Sequence, residues 1–321
     1  MIPPLRGAAM TATALAVLVS TAACGSADDG PSSGSAAGSP PGSDGELTVV
    51  ASTNVWGDIA ATIGGPRVHV TSLITDPKSD PHSFQASPRT QLAVSRADVL
   101  IENGGGYDDW MTTLRTASKS SAPVVDAVDV SGKAVEAKAA GEELNEHVWY
   151  DFPTVEEVAD RIEQALAQAA PTQAGTFAAN EKTFQGQLEA LIAQEAADEP
   201  GVSGAGVAIT EPVPLYLLHA LGAQNRTPED FSEAIEEGTD VPPAALQQTL
   251  ALLTGHQVQA LAYNEQNTSD ETAQVLKAAK ENGVAVVPVT ETLPDGVSYL
   301  TWMQQNLDAL DQALSARPAK P

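Results

Sequence analysis

The hydrophobic and polar positions of the chain change period several times, and each change marks an element. Leu47-Thr48-Val49-Val50-Ala51 is a short apolar, β-branched run and predicts a first strand. Residues 56–63 follow with helical spacing and stop at Gly64-Gly65-Pro66. Residues 68–74 alternate as a second strand, and Ser87-Pro88 supplies an N-cap with proline at the first helical position. Leu92, Ala93 and Ala97 lie on that helix, and Val99-Leu100-Ile101 forms a third strand ended at Gly104-Gly105-Gly106. This alternation predicts parallel βαβ units rather than a sandwich.

The middle of the chain reads as helical. Thr154-Val155-Glu156-Glu157 has the form of a capping box, with Val155, Val158, Ile162 and Leu166 at helical spacing. Pro171 interrupts the pattern. A second long helix then shows Phe177, Phe184, Leu188 and Leu191 on one face and is expected to end at Pro200-Gly201. About two dozen helical residues span roughly 35 Å, enough to run along two lobes. Strands return at 207–210, 258–263 and 284–289, with helices at 214–220, 247–253, 269–280 and 299–314. The 321 residues exceed one usual domain. The expectation is an α/β fold of two lobes, 47–170 and 201–321, each a mainly parallel sheet flanked by helices, joined by one long connecting helix within 171–200.

Before the first strand the pattern is of another kind. Arg6, an apolar run over 8–19 and Ser20-Thr21-Ala22-Ala23 have the three-part layout of a signal peptide, expected over 1–23. The run is short for a spanning helix, and no later segment holds about 18 uninterrupted apolar residues. Ala22-Ala23-Cys24 resembles a bacterial lipobox, with Thr21 where Leu is usual, so Cys24 is expected to be lipidated. Residues 25–46 are Gly/Ser/Pro-rich and read as a flexible tether. The body is thereby expected outside the cytoplasm, anchored to the outer face of the bacterial cell membrane.

Charge and cysteine usage then narrow the function. Forty-two acidic residues against 16 basic ones give a formal net charge of −26, the wrong sign for neutralising phosphates, so no nucleic acid is expected as a partner. Such a surface attracts cations without selecting among them. Cys24 is the only cysteine, which excludes a disulfide framework, a zinc ribbon and a Cys-His nucleophile pair.

Four residues stand where a ligand belongs. His82, in Asp80-Pro81-His82-Ser83-Phe84, and His147, in Glu146-His147-Val148-Trp149-Tyr150-Asp151, sit in loops and not on apolar faces. Taken alone, each reads as a surface or satisfied core histidine; Asp80 and Asp151 are placed to accept a second ring N–H. Glu211 follows one predicted strand and Glu291 another, and open parallel sheets bind ligands beyond the carboxyl ends of their strands. One site between two lobes would use all four. His69, His219 and His256 read as structural or idle, and Trp56, Trp110, Trp149 and Trp302 as core or interface anchors.

Several segments carry a family resemblance: Ala61-Thr62-Ile63-Gly64-Gly65, Asp80-Pro81-His82-Ser83-Phe84, Arg96-Ala97-Asp98-Val99-Leu100, Asn103-Gly104, His147-Val148-Trp149, Ser298-Tyr299 and Asn306-Leu307. Through them the chain resembles the metal-binding lipoproteins of zinc and manganese ABC importers (cluster A-I binding proteins). The resemblance implies a monomeric carrier with no enzymatic activity, partnered by a permease and an ATPase. It also implies the metal ligands: His82 and His147, then Glu211 at a position that is Glu in manganese-type members, and Glu291 where Asp is usual. Asp295 and Glu265 are the alternatives for the fourth. Two imidazoles and two carboxylates suit tetrahedral Zn²⁺ if each acid gives one oxygen, and Mn²⁺ if both chelate. Zinc members often carry a His-rich loop before the second histidine; residues 129–146 hold acids and alanines instead, and both ions stay open. Other classes to weigh are a surface adhesion lipoprotein without metal and a secreted metal-dependent hydrolase. For the hydrolase the chain offers neither His-Glu-x-x-His nor Gly-x-Ser-x-Gly.

Overall fold

Strands and helices alternate through the first half: β1 (Leu47–Thr53), α1 (Asn54–Gly64), β2 (Val68–Ile74), α2 (Pro88–Ser95), β3 (Val99–Glu102), α3 (Asp109–Ser118) and β4 (Val124–Asp126). Short helices α4 (Ala127–Ser131) and α5 (Lys133–Ala140) precede the long α6 (Phe152–Ala169) and α7 (Ala174–Val202). The second half runs β5 (Gly206–Ile209), α8 (Leu215–Ala220), β6 (Gln224–Asn225), α9 (Glu229–Glu236), α10 (Pro243–Thr254), β7 (Ala260–Asn264), α11 (Asp270–Glu281), β8 (Ala285–Val289) and α12 (Tyr299–Ser315). This computed structural model describes residues 46–76, 81–82 and 84–315; the expected signal peptide, Cys24 and nearly all of the tether lie outside them.

The strands form two four-stranded parallel sheets, ordered β2-β1-β3-β4 and β6-β5-β7-β8. Both halves therefore have the same topology, with the first strand of each flanked by its second and third. The chain reverses its winding direction beside that first strand, which opens a crevice at the carboxyl ends of the strands. Strands β3, β5 and β7 are buried along their whole length, which is why they read as unbroken apolar runs and not as alternations. Pro288 is exposed on β8, an edge strand, where a missing N–H breaks no ladder.

The connector is α7, 29 residues and about 43 Å long. Phe177, Phe184, Leu188 and Leu191 are buried as their spacing predicted, and Glu181, Glu195 and Val202 extend the same face. The helix packs on α1, α6 and α12. One apolar cluster runs from Val49 and Trp56 through Val155, Phe184 and Leu188 to Val207 and Leu307, so both halves share a core. Polar ties add to it: Tyr299 Oη donates to the Trp149 carbonyl at 2.7 Å, and the Asn54 side chain pairs with both backbone groups of Leu293 at 2.9 and 3.0 Å.

Several boundaries differ from the sequence reading, α1 and α10 starting earlier and β7 later among them, and two differences have a clear cause. The N-cap of α6 is Asp151, whose carboxylate accepts from the Thr154 N–H at 3.1 Å; Thr154 lies inside the first turn. Phe152 enters the core and Pro153 fits a first turn, so the helix starts earlier. Helix α7 continues through Pro200 to Val202. The proline forfeits one hydrogen bond in an exposed last turn, a defect that a long packed helix absorbs.

Candidate metal site

The ground around His147 is built by the turn after β3. Asn103 accepts from the Trp56 indole N–H at 3.1 Å and donates its amide to the Glu146 carbonyl at 2.9 Å, fixing the backbone just before His147. The buried Asp108 carboxylate accepts from the N–H groups of Asn103 and Gly104 at 2.7 and 2.8 Å. Gly104 has φ +76°, and a Cβ there would fall 2.3 Å from Asp126 Oδ1, so only glycine fits.

His147 is fully buried, its ring edge-on to Trp149 at 5.1 Å. Asn145 holds it twice: Oδ1 accepts from the His147 backbone N–H at 3.1 Å and lies 2.8 Å from Nδ1. The Asn145 Nδ2 donates across to the Pro212 carbonyl at 3.1 Å, which fixes the amide's orientation. An acceptor facing Nδ1 puts the ring proton there and leaves a lone pair on Nε2. Burial, and then the neighbouring His82, hold the imidazole well below its ordinary range, so it is neutral. Asp151, expected to support His147, instead caps α6 and pairs with Lys133 Nζ at 3.1 Å.

His82 is held more loosely. The Pro81 carbonyl accepts from the Trp110 indole at 3.2 Å, and the Phe84 ring lies 4.1 Å from that of Trp110. The His82 side chain is 29% exposed and stands edge-on to Tyr107 at 5.0 Å. Asp80, its expected support, lies outside the described residues. Tyr107 is buried between the two histidines. Burial first, then the carboxylates of Glu291, Asp108 and Glu236, push its phenol far up, so it stays a neutral hydroxyl.

The acids come from the second half. Glu291, two residues past β8 and buried, accepts from Asn264 Nδ2 at 2.9 Å, and its Oε2 lies 4.0 Å from His82 Nε2. Glu211, two residues past β5 and also buried, accepts from Asn267 Nδ2 at 2.6 Å; that amide also donates to the Ile235 carbonyl at 2.8 Å. The neighbour of Ile235 is Glu236, the last residue of α9, and its Oε1 lies 3.1 Å from His82 Nε2 and 3.3 Å from His147 Nε2. Among the described residues, the ligand-type atoms that converge within 4.8 Å of one another are those of His82, His147 and Glu236. The structure thus joins both predicted histidines and brings Glu291 to the edge of the pair, while Glu211 lies outside that trio. Glu236 was not singled out from the sequence. Its signal was present: Phe231, Ala234 and Ile235 at helical spacing after an acidic first turn, closed at Gly238. Glu265 and Asp295 are exposed, and Asp295 lines a separate surface groove with Asn54 and Asp58.

Beside His147 runs a groove lined by Glu136, Glu142, Glu143, Glu146, Glu229 and Glu233. Burial, followed by repulsion from Glu143 and Glu146, pushes the Glu233 carboxyl up to about 7. This acidic groove, with Lys133 also on its wall, lies next to the histidines and favours the approach of cations.

The chain matches the family model described as "ZnuA: Zinc-uptake complex component A periplasmic" over residues 49–313. It is 24% identical over 287 residues to the manganese ABC transporter substrate-binding lipoprotein scaA of Streptococcus gordonii, covering 84% of this chain and 89% of that one. It is 29% identical over 180 residues to the manganese-binding lipoprotein MntA of Halalkalibacterium halodurans, 55% of each chain. The solved periplasmic zinc binding protein TroA of Treponema pallidum superposes with a TM-score of 0.72 at 19% identity, over 84% of this chain and 99% of that one. That likeness is one of fold.

Proposed function

The chain belongs to the family of the periplasmic zinc-uptake complex component A, and from that premise we propose that it captures a divalent transition metal ion, Zn²⁺ or Mn²⁺, outside the cytoplasm and delivers it to the permease and ATPase of an ABC importer. The metal is cargo, and the protein is a monomeric carrier with no turnover. Its ligands are His82, His147, Glu211 and Glu291. The division is a 47–170 lobe, a 171–200 connector and a 201–321 lobe, tethered through 24–46 to a lipid on Cys24.

The observation that carries this reading is the meeting of two imidazoles from the first half with carboxylates from the second, His147 being held in its ligating tautomer. The zinc and manganese named for the similar proteins support the class of ion. The test is to strip the purified protein with a chelator and add Mn²⁺ or Zn²⁺. One ion per chain, with a rise in melting temperature that reflects binding to the folded state, is the expected result. A protein that takes up neither ion would overturn the proposal.

A further inference from the structure

We propose that Glu236 is itself a metal ligand, so that the site presents two imidazoles and three carboxylates and is built for an oxygen-preferring ion, Mn²⁺ rather than Zn²⁺. This rests on the carrier reading above and extends it to the choice of cargo.

The geometry is that of ligands around one centre. Glu236 Oε1 lies 3.1 Å from His82 Nε2 and 3.3 Å from His147 Nε2. Because Nδ1 of His147 faces the acceptor Asn145 Oδ1, its Nε2 turns a lone pair towards the site, and a carboxylate oxygen carries only lone pairs. Glu236 Oε1 is within hydrogen-bond distance of His82 Nε2, a contact an ion would replace, and 3.3 Å from the His147 lone pair, a spacing that a cation bound to all three atoms accommodates. An ion about 2.1 Å from each atom would see these separations at angles of about 95° and 104°, between octahedral and tetrahedral values. The location agrees with the charge. Glu236 ends α9, and the carboxyl end of a helix is its negative pole.

Adding Glu236 to His82, His147, Glu211 and Glu291 raises the protein donors to at least five, three or more of them oxygen. A closed zinc site is filled by four, whereas carboxylate-rich sites of higher coordination suit manganese.

The experiment titrates the metal-free full chain with Mn²⁺ and with Zn²⁺, comparing wild type, Glu236→Ala, Glu236→Gln and the exposed neighbour Glu237→Gln. Loss of an outer partner of a metal ligand costs about 10–100-fold in affinity. Glu236→Ala should lose more than about 100-fold for Mn²⁺, and less for Zn²⁺, with Glu237→Gln unchanged. Glu236→Gln keeps the shape of the side chain and guards against a folding defect, checked by the metal-free melting temperature. X-ray absorption on the Mn²⁺-loaded wild type should count more than four nitrogen and oxygen neighbours. Mn²⁺ affinity retained in Glu236→Ala, an equal loss for both ions, or a four-coordinate ion would overturn the proposal while leaving the carrier reading intact. Wild type binding neither ion would overturn the carrier reading, and this one with it.

Discussion

His147 lies fully buried with its backbone N–H and its Nδ1 on one asparagine, while His82 stands 29% exposed on a loop hung from Trp110. Both offer an imidazole to the same centre, but one is fixed before the ion arrives and the other has room to move. A ligand already ordered loses little freedom on binding, which favours affinity. A ligand on the rim gives the ion a way in and, for a carrier that must surrender its cargo, a way out. The two halves of the molecule differ in the same sense. Both sheets have the order of strands that opens a crevice, yet the first half supplies the histidines and the second the acids.

The largest effect that tests this contrast is removal of each ring in turn. Both His147→Ala and His82→Ala should lower metal affinity by more than about 100-fold, beyond what loss of an outer partner costs. They should differ in the metal-free protein. His147→Ala leaves a hole against Trp149 and removes the ring's bond to Asn145, and should lower the melting temperature, whereas His82→Ala, at a partly exposed ring, should lower it less. Equal metal-free stabilities would erase the distinction. For both ions affinity should fall as the pH falls, because binding requires neutral imidazoles and ionised carboxylates and protons compete with the metal for them.

A smaller effect is expected at Asn145, which fixes the His147 tautomer and bridges to Pro212 in the second half. Asn145→Ala should weaken metal binding by about 10–100-fold without changing the number of ions bound. Unchanged affinity would show that burial alone orients the ring. Smaller still is a change in protection only. On metal binding, amide exchange should slow at His82 and stay nearly constant at His147, Val148 and Tyr150, whose N–H groups are already bonded. Protection gained equally in both places would mean that both are ordered by the ion.

The same contrast decided what the sequence could disclose. The long connector was legible because Phe177, Phe184, Leu188 and Leu191 repeat at helical spacing over many turns, and the buried strands because an apolar run such as 99–101 has few other uses. Strand β6 is two residues, Gln224 and Asn225, neither apolar; its pairing is set by β5 and cannot be read locally. His82 and His147 were found through their neighbours in the chain. Glu236 was not, because its place beside the two rings depends on where an eight-residue helix ends in space. The partner of His147 was misjudged for a similar reason: Asp151, four residues on, is claimed by the start of α6 as a cap, and Asn145, two residues before, takes the place expected of it.

The smallest expected effect lies beneath the rigid region, and its sign separates two kinds of buried group. Burial lowers the pKa of His147, so the unfolded chain takes up a proton that the folded one refuses, and His147 withdraws stability as the pH falls below about 6.5. Glu195, on the buried face of α7, is shifted the other way: burial, and then Asp151, push its carboxyl up to about 7. Here the folded state holds the proton that the unfolded chain releases. Glu195 therefore favours folding below its ordinary value near 4.5, and that contribution is lost as the pH rises through about 7. Glu195→Gln keeps the shape without the charge. It should raise the melting temperature of the metal-free protein by a few degrees at pH 8, with the difference shrinking to nothing near pH 5, while leaving metal affinity at pH 8 unchanged. A variant that melts at or below wild type at pH 8 would show that the Glu195 carboxylate has a compensating partner. The strain of an acid buried next to Asp151 would then not be part of how the His147 region is held.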